Sequence, residues 1–150
     1  QKKTYVGPTS GAMGYGMPAA LGAKLASPDN TVVSLSGDGG FMMTMQEIET
    51  AVRYQIPVIC IVFNNQMYGT IRMHQEIHFP HRVSGTDLGT VYFSKIAKSV
   101  EADGFFVNSL EDFKYVLSKA VNNDRPTVIE VPMDQNQISA KRTIEDLRKK

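Results

Sequence analysis

The chain has 150 residues, 42% of them hydrophobic, and its formal net charge at pH 7 is +1. That is enough apolar material for one domain with its own core, and the dispersed Lys and Arg residues indicate no nucleic-acid or anionic-membrane partner. Cys60 is the single cysteine, which excludes a disulfide framework, and no apolar run reaches about 18 residues. We therefore expect a soluble, cytoplasmic protein.

The first predicted element is an apolar helix over 17–26. Residues 1–8 show neither a capping signal nor strand alternation, so we expect them to flank the domain. From Met17 onwards the sequence is small and apolar nearly all round, and Pro18 suits a first helical turn. This helix is expected to be buried or to lie at an interface.

Two short apolar runs, 32–35 and 58–63, enclose the central unit of the sequence. Each is rich enough in β-branched residues to predict a buried parallel strand, and 44–55 between them has a helical period. A right-handed crossover brings the ends of both strands to one edge of a sheet. The loops 36–40 and 64–67 are therefore expected to lie side by side.

These two loops carry the residue types that bind a magnesium-bound phosphate ester. Magnesium takes one or two carboxylates from a protein and fills its octahedron with other oxygens, so Asp38 and the amide of Asn65 are candidate ligands. Gly39 and Gly40 lack side chains and would let backbone N–H groups approach an anion closely. Further along, Thr44 and Glu47 are three residues apart and fit a capping box, which predicts a structural role for Glu47.

The remaining elements alternate in the same way. We predict a short helix over 68–75, a helix marked by Phe93 to Val100, a strand over 105–107, a helix capped by Ser109 and a last strand over 126–132. Beyond Met133 the tail is charged, and its apolar anchors are Ile144 and Leu147. It is expected to fray or to dock on a partner.

The segment 72–87 contains all three histidines: His74, His78 and His81. Their spacing of four and then three residues raises the possibility of a zinc site, but no fourth ligand is evident, and Pro80 interrupts the helix that would align them. A solvated loop histidine is the simpler interpretation.

The motifs at 37–39 and 64–65 resemble the signature of thiamine diphosphate-dependent enzymes. The upstream segment 10–18 is similar to the cofactor-bending segment of that family, and the group most similar to the chain is that of acetolactate synthase and benzoylformate decarboxylase. The resemblance runs over about 9–131. It implies a three-layer α/β fold, with an open, mostly parallel sheet and helices on both faces. It also implies a domain over 9–133 with flanking segments 1–8 and 134–150, lacking the first strand of the family domain.

The same resemblance assigns site residues. Magnesium would be held by the side chains of Asp38 and Asn65 and the carbonyl of Met67. The cofactor thiamine diphosphate would contact Gly11, Met13, Gly37, Gly39, Gly40, Asn65, Tyr68, Gly69 and Thr70, with Met13 as the wedge that bends it and the Gly11 carbonyl accepting from its aminopyrimidine. Residues facing the substrate would be Ile71, His74 and His78.

The activity that the resemblance implies is decarboxylation of a 2-oxo acid, by a decarboxylase if a proton completes the reaction and by a carboligase if a second carbonyl does. Relatives take the activating glutamate from a pyrimidine-binding domain of a second subunit. We therefore expect that N-terminal domain to be missing here, the full enzyme to be a homodimer or homotetramer, and this chain alone to be inactive. Glu76, placed in the loop segment, is the one local candidate for that carboxylate.

Two other classes remain open. A nicotinamide- or flavin-binding Rossmann domain would have Gly-x-Gly-x-x-Gly after its first strand, but Met42 occupies the position of the third glycine. A non-catalytic interaction module would share the fold and the patterning while lacking affinity for a cofactor.

Overall fold

A computed structural model describes residues 4–149 and contains an open sheet of four parallel strands. The spatial order is β1-β2-β4-β3. The strands are β1 (Val33–Gly37), β2 (Ile59–Asn64), β3 (Asp103–Phe106) and β4 (Thr127–Pro132). Because every pair is parallel, all four carboxyl ends meet at one edge of the sheet. The predicted open parallel sheet is confirmed.

The connections between the strands are helical, as crossovers between parallel strands require. The described part of the chain contains α1 (Gly16–Ala26), α2 (Asp38–Met42), α3 (Glu47–Arg53), α4 (Gly69–His78), α5 (Phe93–Ser99), α6 (Leu110–Val121) and α7 (Ile144–Arg148). A two-stranded antiparallel hairpin, β5 (Gln137–Ser139) and β6 (Arg142–Thr143), precedes α7.

Helices cover both faces of the sheet, as predicted, because the central strands are apolar on both sides. Along β2, Cys60 and Val62 belong to the larger core cluster with α1, α2, α3 and α5, whereas Ile59 and Ile61 belong to a second cluster with α6. Continuous apolar runs of this kind are typical of strands buried on both faces. Burying each such side chain contributes about 1.5–3 kcal/mol.

Local signals at helix ends were predictive in one case and misleading in another. Ser109 caps α6 as predicted, with its Oγ accepting from the backbone N–H of Asp112 at 3.0 Å. The predicted capping box of Thr44 and Glu47 is wrong. The Thr44 hydroxyl donates instead to the carbonyl of Gly14 at 2.9 Å, and α3 begins at Glu47 without a side-chain cap.

The boundaries around the first crossover also differ from the prediction. Residues from Asp38 onwards form α2 directly after β1, where a loop was predicted, and the long helix expected over 44–55 is reduced to α3. Two consecutive glycines have low helix propensity, and five residues are too few to show a helical period. The strand expected over 105–107 likewise begins and ends earlier, as β3.

The C-terminal tail is ordered in the described residues, so the fraying alternative is wrong, and the tail packs within its own chain. Ile144 and Leu147 are both buried, and the helix that carries them packs against α4 of the same chain. Thr143 and Asp146 form the capping box that starts α7. No helix among residues 4–149 is long and apolar enough to cross a membrane.

Candidate cofactor and metal site

Asp38 follows the last residue of β1, and its two carboxylate oxygens have different surroundings. Its side chain is buried, with a relative exposure of 3%, and its Oδ1 accepts from the backbone N–H of Gly39 at 2.8 Å. Its Oδ2 is buried and has no hydrogen-bond partner among residues 4–149. A buried carboxylate oxygen without a donor is costly, so this atom is an open position for a cation or a donor that arrives with a ligand.

The second loop leaves β2 as a turn held by its own amide side chains. Asn64 Oδ1 accepts from the N–H of Gln66 at 3.3 Å, and Asn65 Oδ1 accepts from the N–H of Met67 at 3.2 Å. Gln66 has a φ of 58°, which this arrangement holds in the left-handed region. The side chain of Asn65 is thereby fixed on the backbone of the residue whose carbonyl is the third predicted metal ligand.

A short segment, residues 86–88, forms backbone hydrogen bonds with this turn and is called the strap below. Tyr68 N–H donates to the carbonyl of Thr86 and Leu88 N–H to that of Gln66, both at 2.8 Å, and Met67 forms a bridge with Asp87 between them. The segment 64–68 is therefore bonded both within itself and to the strap. Such a doubly held loop can present oxygen ligands in one geometry.

The two strand-end loops contact each other, as predicted. Gly37 lies beside Phe63 in the register of β1 and β2. Two residues further along the chain, a Cβ added to Gly39 would lie 2.5 Å from the Tyr68 ring, so a larger residue there would displace that ring. The structure thus brings Asp38 and Gly39 next to the segment that carries Asn65, Met67 and Tyr68.

The upstream glycine segment, residues 11–14, reaches the start of the first crossover through Gly14. Gly14 lies against Met43 and Gly40, and the Thr44 hydroxyl bonds to its carbonyl. Gly11 has a φ of +67°, and no atom of the described residues lies within 4 Å of a Cβ added to it. Met13 is 43% exposed, so it is not a core methionine.

The residues predicted to face a substrate lie on α4 and its approach. Gly69 begins the helix close to the Asn65 amide, and Thr70, Ile71, His74 and His78 are exposed. His74 and His78 lie one turn apart with their rings stacked at 6.3 Å between centroids. Within residues 4–149, no group of three or more His, Cys, Asp or Glu side chains converges on a possible metal position, so the histidine spacing does not build a zinc site there.

Glu76 is on α4 and not in a loop, and its environment differs from that of an activating carboxylate. It is fully buried, and it accepts from Arg148 Nη2 at 2.7 Å, Arg72 Nε at 3.0 Å and the N–H of His81 at 3.1 Å. These bonds, that from Arg148 foremost, lower the pKa of Glu76 from 4.5 to about 2. Glu76 is therefore ionised at neutral pH and binds the tail through Arg148.

Sequence reasoning missed a second buried carboxylate. Glu130 on β4 is 1% exposed and accepts from Asn64 Nδ2 at 2.9 Å and from Ser94 N and Oγ at 3.0 and 2.8 Å. The sequence did contain a signal: Glu130 is the one charged residue in the apolar run that forms β4, and a buried charge needs hydrogen-bond partners. Their identity depends on contacts between residues far apart in the chain.

The donor set of the candidate site consists of oxygen atoms, the type of ligand that a hard cation prefers. Asp38 supplies one carboxylate with an open oxygen, and the neighbouring turn supplies an amide oxygen and a backbone carbonyl. This is the oxygen set that Mg²⁺ takes when a bound phosphate and water complete its octahedron.

The fold and the position of these loops define an α/β domain of the class whose ligands bind outside the carboxyl ends of parallel strands. The chain belongs to the family described as thiamine pyrophosphate enzyme, C-terminal TPP binding domain, whose model matches residues 1–131. The sequence-based family assignment is confirmed.

Individual relatives agree with this family. The chain is 38% identical to acetolactate synthase of Bacillus subtilis over 122 residues, which cover 81% of this chain and 21% of that protein. It is 37% identical to sulfoacetaldehyde acetyltransferase of Alcaligenes xylosoxydans over 123 residues, covering 81% and 20%.

Among solved structures, the thiamine diphosphate-dependent 4-hydroxybenzoylformate decarboxylase of Rhodococcus jostii matches with a TM-score of 0.80 and 38% identity, covering 85% of this chain and 24% of that one. The chain therefore spans about a fifth to a quarter of the length of these relatives.

Proposed function

We propose that the chain is the diphosphate- and Mg²⁺-binding domain of a thiamine diphosphate-dependent enzyme that acts on 2-oxo acids as a decarboxylase or carboligase. The observation that carries this proposal is the buried, unpartnered Oδ2 of Asp38 beside the Asn65 turn. The family membership supports the cofactor, and the oxygen donors support the metal. The proposed domain covers residues 9–133.

In this proposal the chain's residues divide into three groups. Asp38, Asn65 and the Met67 carbonyl hold Mg²⁺. The backbone of Gly37, Gly39, Gly40 and residues 68–70 contacts the diphosphate, whose charge the cation offsets. The exposed Met13 and the carbonyl of Gly11 would contact the two rings of thiamine diphosphate, and the cofactor would supply a carbon nucleophile and an electron sink.

The substrate side of the proposal rests on the relatives. They include an acetolactate synthase, a sulfoacetaldehyde acetyltransferase and a 4-hydroxybenzoylformate decarboxylase, which favours a 2-oxo acid or similar carbonyl substrate near Ile71, His74 and His78. Glu76 is fully engaged with two arginines. We therefore assign the activating glutamate to a pyrimidine-binding domain of a second subunit. The full enzyme would then be a homodimer or homotetramer, and we propose that it is cytoplasmic.

The metal and the cofactor are expected to bind only together, because each completes the coordination or charge of the other. Isothermal titration of the chain with thiamine diphosphate should give measurable binding with Mg²⁺ present and at least about tenfold weaker binding with EDTA, a difference of about 1.4 kcal/mol. Thiamine without its diphosphate, NAD⁺ and FAD are the comparison ligands. Equal affinity with and without Mg²⁺ would refute the metal, and preferential binding of NAD⁺ or FAD would replace this function by that of a Rossmann domain.

A further inference from the structure

The buried carboxylate of Glu130 has no part in the function proposed above, and its contacts are unusual for a structural charge. None of its three donors is a cation: they are the amide of Asn64 and the N–H and hydroxyl of Ser94. Moving a carboxylate out of water costs several kcal/mol, and neutral donors offset that cost only when every one of them is well placed. Each oxygen of Glu130 is bonded to a different element of the fold.

One oxygen holds α5. Glu130 Oε2 accepts from Ser94 N and Oγ, and so serves the first turn of a helix whose preceding residue, Tyr92, provides no side-chain cap. The other oxygen, Oε1, accepts from Asn64 Nδ2. The same amide nitrogen also donates to the Val91 carbonyl at 3.2 Å.

Asn64 links Glu130 to the turn at 64–67 through the two ends of its side-chain amide. With its Nδ2 committed to Glu130, its Oδ1 is directed to the N–H of Gln66, the residue with positive φ between Asn65 and Met67. An unrestrained Asn side chain could exchange its two ends by rotation about χ2, whereas this one has a donor requirement on one side and an acceptor requirement on the other. The conformation of the turn therefore depends on an acceptor two strand positions away on β4.

We propose that Glu130 is a positioning residue for the cation site: through Asn64, it fixes the turn that presents the Asn65 amide and the Met67 carbonyl. This rests on the proposed Mg²⁺ function. Partners that orient metal ligands commonly change metal affinity 10- to 100-fold when they are removed, although they never contact the ion.

Glu130→Gln tests this with little change in shape. Ser94 presents a fixed N–H to Oε2, so the glutamine oxygen is expected to remain there and its NH₂ to face the NH₂ of Asn64. Two opposed donors displace Asn64. We expect Mg²⁺ affinity, measured by calorimetry with saturating thiamine diphosphate, to fall at least about tenfold.

Ser94→Ala is the matched control. It removes one hydrogen bond from the same buried carboxylate, on the α5 side, and should lower the melting temperature while leaving Mg²⁺ affinity within about twofold. If both variants weaken Mg²⁺ binding in proportion to their loss of melting temperature, Glu130 is only structural and the inference is wrong.

A double-mutant cycle separates positioning from simple charge. Asn64→Ala already removes the hydrogen bond between Asn64 and Glu130. In that background Glu130→Gln should therefore not change the Mg²⁺ affinity further. An equal loss in both backgrounds would show that the negative charge of Glu130 acts directly on the ion, which contradicts the inference.

Asn64→Ala also serves alone if Glu130→Gln does not fold, because Glu130 acts through Asn64. Unchanged Mg²⁺ affinity in a folded Asn64→Ala protein overturns the inference. If the unmodified chain shows no Mg²⁺-dependent binding of thiamine diphosphate, the proposed function itself fails and this inference falls with it. A functional parent with an unaffected Glu130→Gln variant rejects the inference alone.

Discussion

Asp38→Asn is expected to lower the affinity for thiamine diphosphate in the presence of Mg²⁺ by about 100-fold or more. The substitution keeps the shape and the bond from Gly39 N–H to Oδ1. It replaces the unpartnered Oδ2 by an NH₂ group, which repels a cation and cannot coordinate it. A 100-fold loss corresponds to about 2.7 kcal/mol, which calorimetric titration measures directly.

The same substitution should not destabilise the protein when ligands are absent. An uncompensated buried carboxylate oxygen costs free energy, so its removal offsets the cost of the new unpaired NH₂ group. Asp124→Asn, an exposed carboxylate on the loop before β4, is the matched control and should change neither affinity nor melting temperature. Retained affinity in Asp38→Asn would contradict the metal assignment, and a large loss of stability would show that the carboxylate is structural.

Among the substitutions proposed for this chain, Glu76→Gln is expected to lower the free energy of unfolding most. Glu76 is fully buried between Arg72 on α4 and Arg148 on α7, and breaking a buried ion pair on one side costs about 3–5 kcal/mol. The effect should appear in the free energy of unfolding measured in urea. Glu49→Gln is the control, because the pair of Glu49 and Arg53 also spans one helical turn but is exposed to solvent, so its loss should leave the free energy of unfolding nearly unchanged.

The contribution of Glu76 should also depend on pH in a defined direction. Its pKa is lowered in the folded protein to about 2 from 4.5, so the folded state favours the ionised form. The stabilisation is therefore fully present above about pH 4.5 and is lost as the pH falls towards 2. Urea unfolding between these values should show a steeper loss for the unmodified protein than for Glu76→Gln. Parallel profiles would mean that the ion pairs do not hold the tail.

Much of the fold was predictable because its signals are local. The strands β1, β2 and β4 are short apolar runs bounded by turns, and α6 has both a helical period and a serine cap. Chain connectivity then dictates a parallel sheet with its polar loops at one edge. The neighbourhood of Asp38 and the Asn65 turn follows from that topology alone.

The remaining features depend on contacts between distant residues, which no local pattern encodes. The Thr44 hydroxyl had two possible partners, and proximity to Gly14 decided between them. Arg148 donates to Glu76 across 72 positions of sequence, so the charged tail is anchored on α4 of its own chain. Glu130 lies in a predicted strand, but only the three-dimensional structure shows that it bonds to Asn64.

The most direct test of the central claim is to locate the cation. Mn²⁺ prefers the same oxygen ligands as Mg²⁺ and broadens NMR signals of nuclei close to it. With thiamine diphosphate and substoichiometric Mn²⁺, the backbone amides of residues 38–41 and 64–68 should broaden first. Those around Asp124, before the amino end of β4, should remain sharp. Broadening centred on His74 and His78, or a uniform effect over the chain, would contradict a cation site formed by Asp38 and the Asn65 turn.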